Sequence, residues 1–139
     1  MSLHATAVAG RKRGLIIVGA AGSGKSSLAL DLVSRGCRLI ADDRVILEAE
    51  AGRLVASPPS TLRGRIELRG IGIGRVGAVT TGIHLCVDLD EIPDGRQPPQ
   101  SDWTACGITL RRLPARGVVG LAATLHLWLD GSLDFEEQT

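Results

Sequence analysis

Short apolar runs separated by polar, glycine-rich turns predict an alternation of strands and helices. Strands are predicted over residues 4–9 and 15–19, with the basic turn "GRKRG" between them. A helix is predicted from residue 25 to about residue 35, because Leu28 and Leu32 repeat at helical spacing. The next apolar run, "CRLIA", predicts another strand. The first third of the chain therefore predicts an α/β unit.

The rest of the chain is predicted to be rich in strands and to end in a helix. The predicted elements are, in order, a hairpin with strands over 45–47 and 53–56, a short strand around Ile66, a strand over 82–92, a loop over 93–103, a strand over 107–114 and a helix over 117–129. The closing helix rests on apolar side chains at helical spacing, namely Val118, Leu121, Leu125 and Trp128. The whole pattern favours a mixed, twisted sheet built around the first long strand and the helix after it.

The composition indicates one cytoplasmic domain with an aliphatic core. Of the 139 residues 44% are hydrophobic but only 2% are aromatic, so Leu, Ile, Val and Ala must fill the interior. The net charge of +1 gives no reason to expect nucleic acid or a membrane surface as a partner. The sequence has no secretion signal and no apolar run of about 18 residues. Cys37, Cys86 and Cys106 form no CxxC pair and are predicted to be reduced structural thiols.

The segment "GAAGSGKSS" matches the phosphate-binding loop pattern G-x-x-x-x-G-K-[ST], with Gly19, Gly24, Lys25 and Ser26 at the fixed positions. Glycines let successive main-chain N–H groups turn toward phosphate oxygens, and the amino end of the following helix adds to the attraction. Lys25 is placed to reach the terminal phosphates, and the Ser26 hydroxyl is placed to ligate Mg²⁺. The strand before the loop and the helix after it favour nucleotide binding over a glycine-rich turn without a ligand.

Two adjacent carboxylates, Asp42 and Asp43, follow the apolar run "RLIA". A phosphate-binding loop needs an acidic element near its Mg²⁺, usually at the end of a neighbouring strand. Because side chains along a strand alternate between faces, both acids can serve one site only if the strand ends between them. One acid would then hold the water shell of the metal, and the other would accept a proton from an attacking hydroxyl. The alternative is that the pair only caps the next turn.

These motifs together resemble the catalytic domain of bacterial HPr kinase/phosphorylase. His4 precedes the loop on the first strand, as a histidine does in that family, and "GAAGSGKSSLALDLVSRGCRLIADDRV" is similar to the family's loop, helix and Asp-Asp strand. "IELRGIGI" (residues 66–73) resembles the family signature, and "LPARGVVGLAATL" resembles its final segment. The resemblance covers nearly the whole chain.

The resemblance implies a P-loop-containing kinase domain of the HPr kinase/PEP carboxykinase-like type, an α/β fold with a mixed, twisted sheet. Residues 1–139 would form one catalytic domain, without the N-terminal regulatory domain of longer family members. The implied activity is an ATP- and Mg²⁺-dependent protein serine kinase acting on the phosphocarrier protein HPr. It would work within the phosphotransferase system and carbon regulation, as a cytoplasmic protein with the hexameric assembly to which the family tends.

The resemblance also assigns roles to individual residues. Asp43 would be the proton acceptor toward the substrate serine, and Lys25 and His4 would lie at the transferred phosphate. Mg²⁺ would be held by Ser26, Glu67 and Asp42. The nucleotide would be bound by the whole loop, namely Gly19, Ala20, Ala21, Gly22, Ser23, Gly24, Lys25, Ser26 and Ser27. From the residues alone, Glu67 is equally well explained as a surface ion pair with Arg69, and His4 as an exposed terminal histidine.

The chain departs from the family pattern in the loop and after the long strand. Ala20 and Ala21 replace a polar pair, at positions where the phosphate cradle is mostly main chain. Glu91 stands where a catalytic arginine is expected, and Arg96 is nearby but out of register, so reverse phosphorolysis is predicted to be weak or absent. Two alternatives stay open, a small-molecule P-loop kinase and a non-catalytic nucleotide-sensing module. The lid of such a small-molecule kinase would draw on Arg111, Arg112 and Arg116.

Overall fold

The structure is a computed structural model that describes residues 1–95 and 101–136. Its helices are α1 (Lys25–Ser34) and α2 (Leu121–Asp130), with a short 3-10 helix at Ser60–Leu62. Its strands are β1 (Ser2–Leu3), β2 (Thr6–Ala9), β3 (Gly14–Val18), β4 (Arg38–Ala41), β5 (Val45–Glu50), β6 (Arg53–Ser57), β7 (Arg65–Leu68), β8 (Gly72–Arg75), β9 (Thr81–Ile83), β10 (Leu85–Asp88), β11 (Ser101–Ala105) and β12 (Ile108–Pro114). In the described ranges no helix is long and apolar enough to cross a membrane.

Six strands form the central sheet, in the order β11-β12-β10-β3-β2-β4. β10 pairs in parallel with both β3 and β12, whereas β2 runs antiparallel to its two neighbours, β3 and β4. The strands β3, β4, β10 and β12 therefore run in the same direction and end at one edge of the sheet. Ligand sites of α/β sheets lie at such an edge, so the segments that follow these four strands are the first place to look for one.

Apolar side chains pack on both faces of the central sheet, because successive residues of a strand point to opposite faces. In β3, Leu15 and Ile17 contact the core beneath α1 and α2, whereas Ile16 contacts the core on the other face. That second core is closed by the β1-β5-β6-β9 sheet, which contributes Leu47 and Leu54 among others. The helices, the six-stranded sheet and the four-stranded sheet thus form three layers around the predicted aliphatic core.

The predicted strand over 82–92 is wrong. The chain instead forms β9, which pairs with β6 in one sheet, and β10, which pairs with β3 in the other. His84 lies between them, and its main-chain N–H donates to the Gly14 carbonyl (2.8 Å). The His84 ring accepts the Gly14 N–H at Nδ1 (3.1 Å), and burial lowers the pKa of that ring. The apolar alternation continues through the region because both short strands face a core, so pattern alone could not reveal the change of sheet.

The predicted loop over 93–103 is wrong at its end. β11 begins at Ser101 and pairs antiparallel with β12, so "SDW" belongs to an edge strand. Arg96, which the sequence placed near the expected catalytic arginine, lies outside the described residues.

The predicted helix over 117–129 is wrong at its start. α2 begins only at Leu121, because Gly117 and Gly120 have φ angles of 77° and 73°, in the left-handed region. Val118 and Val119 between them are exposed, so Val118 is not part of the buried helix face. Leu125 is fully buried, as its helical spacing predicts.

The three cysteines are free, but they differ in environment. Cys37 and Cys86 are buried, as expected of structural thiols. Cys106 is exposed in the turn between β11 and β12, so its prediction as a structural thiol is wrong.

Candidate active site

The phosphate-binding loop joins β3 to α1 at the shared edge of the central sheet. Gly19 has a φ of 154°, which residues with a side chain rarely adopt, and a β-carbon there would lie 2.6 Å from Ser23 Oγ, so Ser23 would have to move. Gly24 caps α1 with φ 102°, so Lys25 is the first helical residue. Lys25 Nζ donates to the carbonyls of Gly19 (2.7 Å) and Ala20 (3.1 Å). The ammonium group therefore lies along the loop that the sequence predicted to hold phosphates.

Asp42 is buried beneath the loop and ties three elements together. Its Oδ1 accepts hydrogen bonds from the hydroxyls of Thr6 on β2 (2.9 Å) and Ser26 on α1 (2.7 Å). Its Oδ2 accepts the main-chain N–H of Glu67 on β7 (2.9 Å). The turn after β4 is closed by a different bond, from the Arg44 N–H to the main-chain carbonyl of Asp42 (2.8 Å). The Asp42 carboxylate therefore binds the Ser26 hydroxyl and does not cap the turn after β4.

Asp43 occupies a different environment from its neighbour. Its φ angle of 70° lies in the left-handed region, which non-glycine residues seldom adopt and which concentrates at functional sites. β4 already ends at Ala41, one residue earlier than a strand end between the two acids would require. Because neither acid lies within the strand, the alternation of faces does not constrain their two side chains. Asp42 is buried, whereas Asp43 is exposed and lines the cleft.

An open cleft of about 510 Å³ brings most of the predicted site residues together. It is lined by His4, Thr6, Gly19, Ala21, Gly22, Gly24, Lys25, Ser26, Ser27, Asp43, Glu67 and Arg69. Arg44, which does not line the cleft, contacts His4, and its guanidinium lies 2.9 Å from His4 Nε2. Two predicted loop residues, Ala20 and Ser23, lie instead in a second concavity on the flank of the loop, together with Asp90 and Arg116. Asp42 is buried and is not among the residues that line the cleft.

The site also contains residues that the sequence analysis missed. Thr6 bonds to Asp42, and the signal for it was a hydroxyl residue in an otherwise apolar strand, "TAVA". Arg69 lines the cleft, and it lies within the signature-like segment. Asp90 accepts the main-chain N–H of Ala20 with both carboxylate oxygens (3.0 and 2.9 Å). Its only sequence signal was the acidic run "DLDE" at the end of a strand.

The oxygen donors fit a magnesium ion that is shared with a nucleotide. No cluster of three or more His, Cys, Asp or Glu suited to a metal is found among residues 1–95 and 101–136. Mg²⁺ does not require such a cluster, because it commonly takes one or two protein oxygens together with phosphate oxygens and water. Oxygen donors of that kind are supplied by Ser26 and Glu67, which line the cleft, and by the Asp42 carboxylate, which is bonded to Ser26.

Glu91, which stands where an arginine was expected, takes part in an ion-pair cluster behind the loop. Arg112 on β12 lies 2.8 Å from Glu91 Oε1, and its Nε donates to Asp88 Oδ2 at 2.8 Å. The hydrogen bond to Asp88 is the main cause that raises the pKa of Arg112. Glu91 is therefore ion-paired with Arg112 and does not line the cleft.

Comparison with known proteins gives one consistent family. Residues 1–93 match the family described as HPr Serine kinase C-terminal domain. The HPr kinase/phosphorylase of Lactobacillus acidophilus is 47% identical over 97 residues, which cover 63% of this chain and 30% of that protein. The HPr kinase/phosphorylase of Lactococcus lactis subsp. lactis is 51% identical over 86 residues, covering 55% and 28%. The chain thus spans less than a third of the length of these relatives.

A solved structure extends the likeness to almost the entire chain. The Hpr(Ser) kinase/phosphatase from Coxiella burnetii superimposes with a TM-score of 0.80 and 28% sequence identity, covering 93% of each chain. The predicted fold class, an α/β P-loop kinase domain with a mixed sheet, is confirmed by this likeness.

Proposed function

The chain belongs to the HPr serine kinase C-terminal domain family, and from that premise we propose that it is an ATP- and Mg²⁺-dependent kinase that phosphorylates a serine of HPr. The observation that carries the proposal is the division between two adjacent acids. Asp42 is buried and accepts a hydrogen bond from the Ser26 hydroxyl, whereas Asp43 is exposed and lines the same cleft as Lys25. A phosphoryl transferase needs one carboxylate for its metal and another for the attacking hydroxyl.

The loop supports ATP as the phosphoryl donor. Its main-chain N–H groups and the amino end of α1 favour the phosphates, and Lys25 adds a positive charge beside them. Mg²⁺ bound with the nucleotide would neutralise charge on the phosphates. Ser26 would ligate the ion, Asp42 would orient the Ser26 hydroxyl and the water shell, and Glu67 would contribute from β7. The oxygen chemistry of these three residues suits this hard cation.

Asp43 is the proposed proton acceptor from the substrate serine. As the serine oxygen forms its bond to the γ-phosphorus, its proton passes to Asp43. The bond between that phosphorus and the bridging oxygen breaks, and ADP leaves with the electron pair. His4 and Lys25 would stabilise the charge on the transferred group, and Arg44 holds the His4 ring in place.

The reverse reaction, phosphorolysis of phosphorylated HPr, is proposed to be weak. Glu91 stands at the position expected for the arginine, and it pairs with Arg112 outside the cleft. The alternative of a small-molecule kinase with an arginine-rich lid is less well supported. Arg111 and Arg112 lie within β12, which is paired on both sides by β10 and β11.

The deciding experiment is transfer of labelled γ-phosphate from ATP to purified HPr, by wild type and by Asp43→Asn. We expect transfer to an HPr serine by wild type and its loss in Asp43→Asn, with nucleotide binding retained in both. Absence of transfer by ATP-bound wild type would contradict the proposal. Turnover with a panel of small hydroxyl metabolites would then indicate a small-molecule kinase, and binding without any turnover would indicate a sensing module.

A further inference from the structure

The peptide group between Gly19 and Ala20 is held from both ends by side chains of opposite charge. Its N–H, on Ala20, donates to the two carboxylate oxygens of Asp90 at 3.0 and 2.9 Å. Its carbonyl, on Gly19, accepts a hydrogen bond from Lys25 Nζ at 2.7 Å. Because a peptide group is rigid and planar, the orientation of its N–H fixes the direction of its carbonyl. A carboxylate after β10 is thereby connected to the ammonium of the loop lysine.

Asp90 is itself fixed by its neighbours. Its main-chain N–H donates to Asp88 Oδ1 (2.8 Å), and the Leu89 N–H donates to the Val18 carbonyl of β3 (2.9 Å). Asp88 is only 5% exposed and is bonded in turn by Arg112. The carboxylate therefore projects from a rigid base, formed where β3, β10 and β12 end side by side.

The peptide after Gly19 is one that a glycine leaves free to rotate. Gly19 lacks a β-carbon, so the peptide that follows it has few steric barriers to rotation. If that peptide turned over, its carbonyl would approach the Asp90 carboxylate and be repelled. Lys25 would lose its 2.7 Å acceptor and keep the weaker bond to the Ala20 carbonyl at 3.1 Å. The charge of Asp90 opposes this rotation because it attracts the N–H and repels the carbonyl.

We propose that Asp90 is a positioning residue, whose carboxylate orients the Gly19–Ala20 peptide and through it holds the Lys25 ammonium along the phosphate-binding loop. The effect on catalysis rests on the proposed kinase function. The restraint on Lys25 does not, because it exists in the protein without nucleotide. The two parts can therefore be tested separately.

The restraint is tested by chemical labelling of the free protein. The chain has two lysines, and the exposed Lys12 serves as an internal reference for Lys25. Wild type, Asp90→Ala and Asp90→Asn are treated briefly with an amine-acylating reagent, and mass spectrometry gives the Lys25 to Lys12 ratio. We expect the ratio to rise about threefold or more in Asp90→Ala, and less in Asp90→Asn, whose amide oxygen can still accept the N–H. Asp102→Asn, an exposed acid on β11, should leave the ratio unchanged.

The kinetic arm uses HPr phosphorylation by the same variants. We expect kcat to fall about tenfold in Asp90→Ala, with a smaller change in KM for ATP and partial rescue in Asp90→Asn. A residue that only supported the fold would lower the melting temperature without this split between kcat and KM.

The two arms separate failure of this inference from failure of the proposed function. An unchanged Lys25 to Lys12 ratio in folded Asp90→Ala overturns the positioning role, whatever the kinase assay gives. If wild type does not phosphorylate HPr, the proposed function fails and the ratio still decides the inference. Should Asp90→Ala not fold, the nearly isosteric Asp90→Asn decides it, and a wild-type ratio there counts against the role of the charge.

Discussion

Removal of the Asp42 carboxylate should destabilise the protein more than any change at the acid beside it. In Asp42→Ala, three donors lose their acceptor, namely the Thr6 hydroxyl, the Ser26 hydroxyl and the Glu67 N–H. Thr6 has no exposed surface in the folded protein, and its hydroxyl donates to Asp42. The variant therefore leaves polar groups of β2, α1 and β7 unpaired at the point where these elements meet.

The magnitude follows from the number of unpaired groups. A buried donor without a partner costs about 1–3 kcal/mol, and hydrogen bonds to a charged group lie at the upper end of the usual range. Allowing for water at the partly exposed Ser26, we expect Asp42→Ala to lower the free energy of unfolding by about 3–5 kcal/mol. Asp42→Asn should cost about 2–3 kcal/mol, because its amide oxygen can still accept from the Thr6 and Ser26 hydroxyls, whereas its NH₂ group cannot accept the Glu67 N–H. Asp43→Asn should change stability by about 0.5 kcal/mol or less, since this side chain is exposed and asparagine tolerates a positive φ.

The assay is urea-induced unfolding of the ligand-free variants, followed by tryptophan fluorescence and circular dichroism. The urea concentration at the midpoint should be highest for Asp43→Asn, lower for Asp42→Asn and lowest for Asp42→Ala. The slope of the free energy of unfolding against urea concentration should be unchanged. Thr6→Val combined with Asp42→Ala should cost less than the sum of the two single changes, because the lost hydrogen bond is shared. An Asp42→Ala protein as stable as Asp43→Asn would refute the reasoning.

Three further results are expected. Gly19→Ala should weaken ATP binding tenfold or more, measured by calorimetric titration, because the added β-carbon lies 2.6 Å from Ser23 Oγ at a φ of 154°. Burial is the main cause that raises the pKa of Cys86 to about 12, whereas its unperturbed value is 9.0. Between pH 9 and pH 12 the Cys86 thiol therefore stays protonated in the folded state but ionises in the unfolded state. The free energy of unfolding should accordingly fall as the pH rises from about 9 toward 12, by up to about 1.4 kcal/mol per pH unit. This slope should flatten in Cys86→Ala, as measured by urea unfolding at pH 8 and 10. Arg13→Met should lower stability by about 1–2 kcal/mol in calorimetry, because Arg13 donates to the Trp128 carbonyl (3.0 Å) and lies 4.9 Å from the centre of the Trp128 ring.

Each of these three has a control elsewhere in the chain. Gly77→Ala adds a β-carbon whose nearest neighbour is 3.8 Å away, and it should bind ATP as wild type does. Cys106→Ala removes an exposed thiol and should keep the wild-type pH slope, and Arg11→Met should leave calorimetric stability nearly unchanged. A control that changes as much as its test variant would contradict the corresponding explanation.

Features that depend on neighbouring residues could be predicted from the sequence. The phosphate-binding loop was predicted because its glycines, lysine and serine act within one turn, and α1 was predicted because its apolar spacing is local. The two acids were expected at the end of a strand because the apolar run stops there, and β4 does end at Ala41, directly before them. The β9 and β10 boundary was not predicted, because a strand facing either of two cores has the same pattern. Asp90 was missed because its partner Ala20 lies 70 positions away along the chain.

The sequence by itself determined the local chemistry of this protein: a phosphate-binding loop, two acids at a strand end and an aliphatic core. The tertiary structure decided the surroundings of each acid, because only the parallel arrangement of β3, β4, β10 and β12 brings their ends to one edge. Asp42 is buried and accepts hydrogen bonds from three donors on other elements. Asp43 has a left-handed backbone conformation and lines the cleft. The physical reason is that propensity and pattern act over a few residues, whereas hydrogen bonds between strand ends depend on how the whole sheet is assembled.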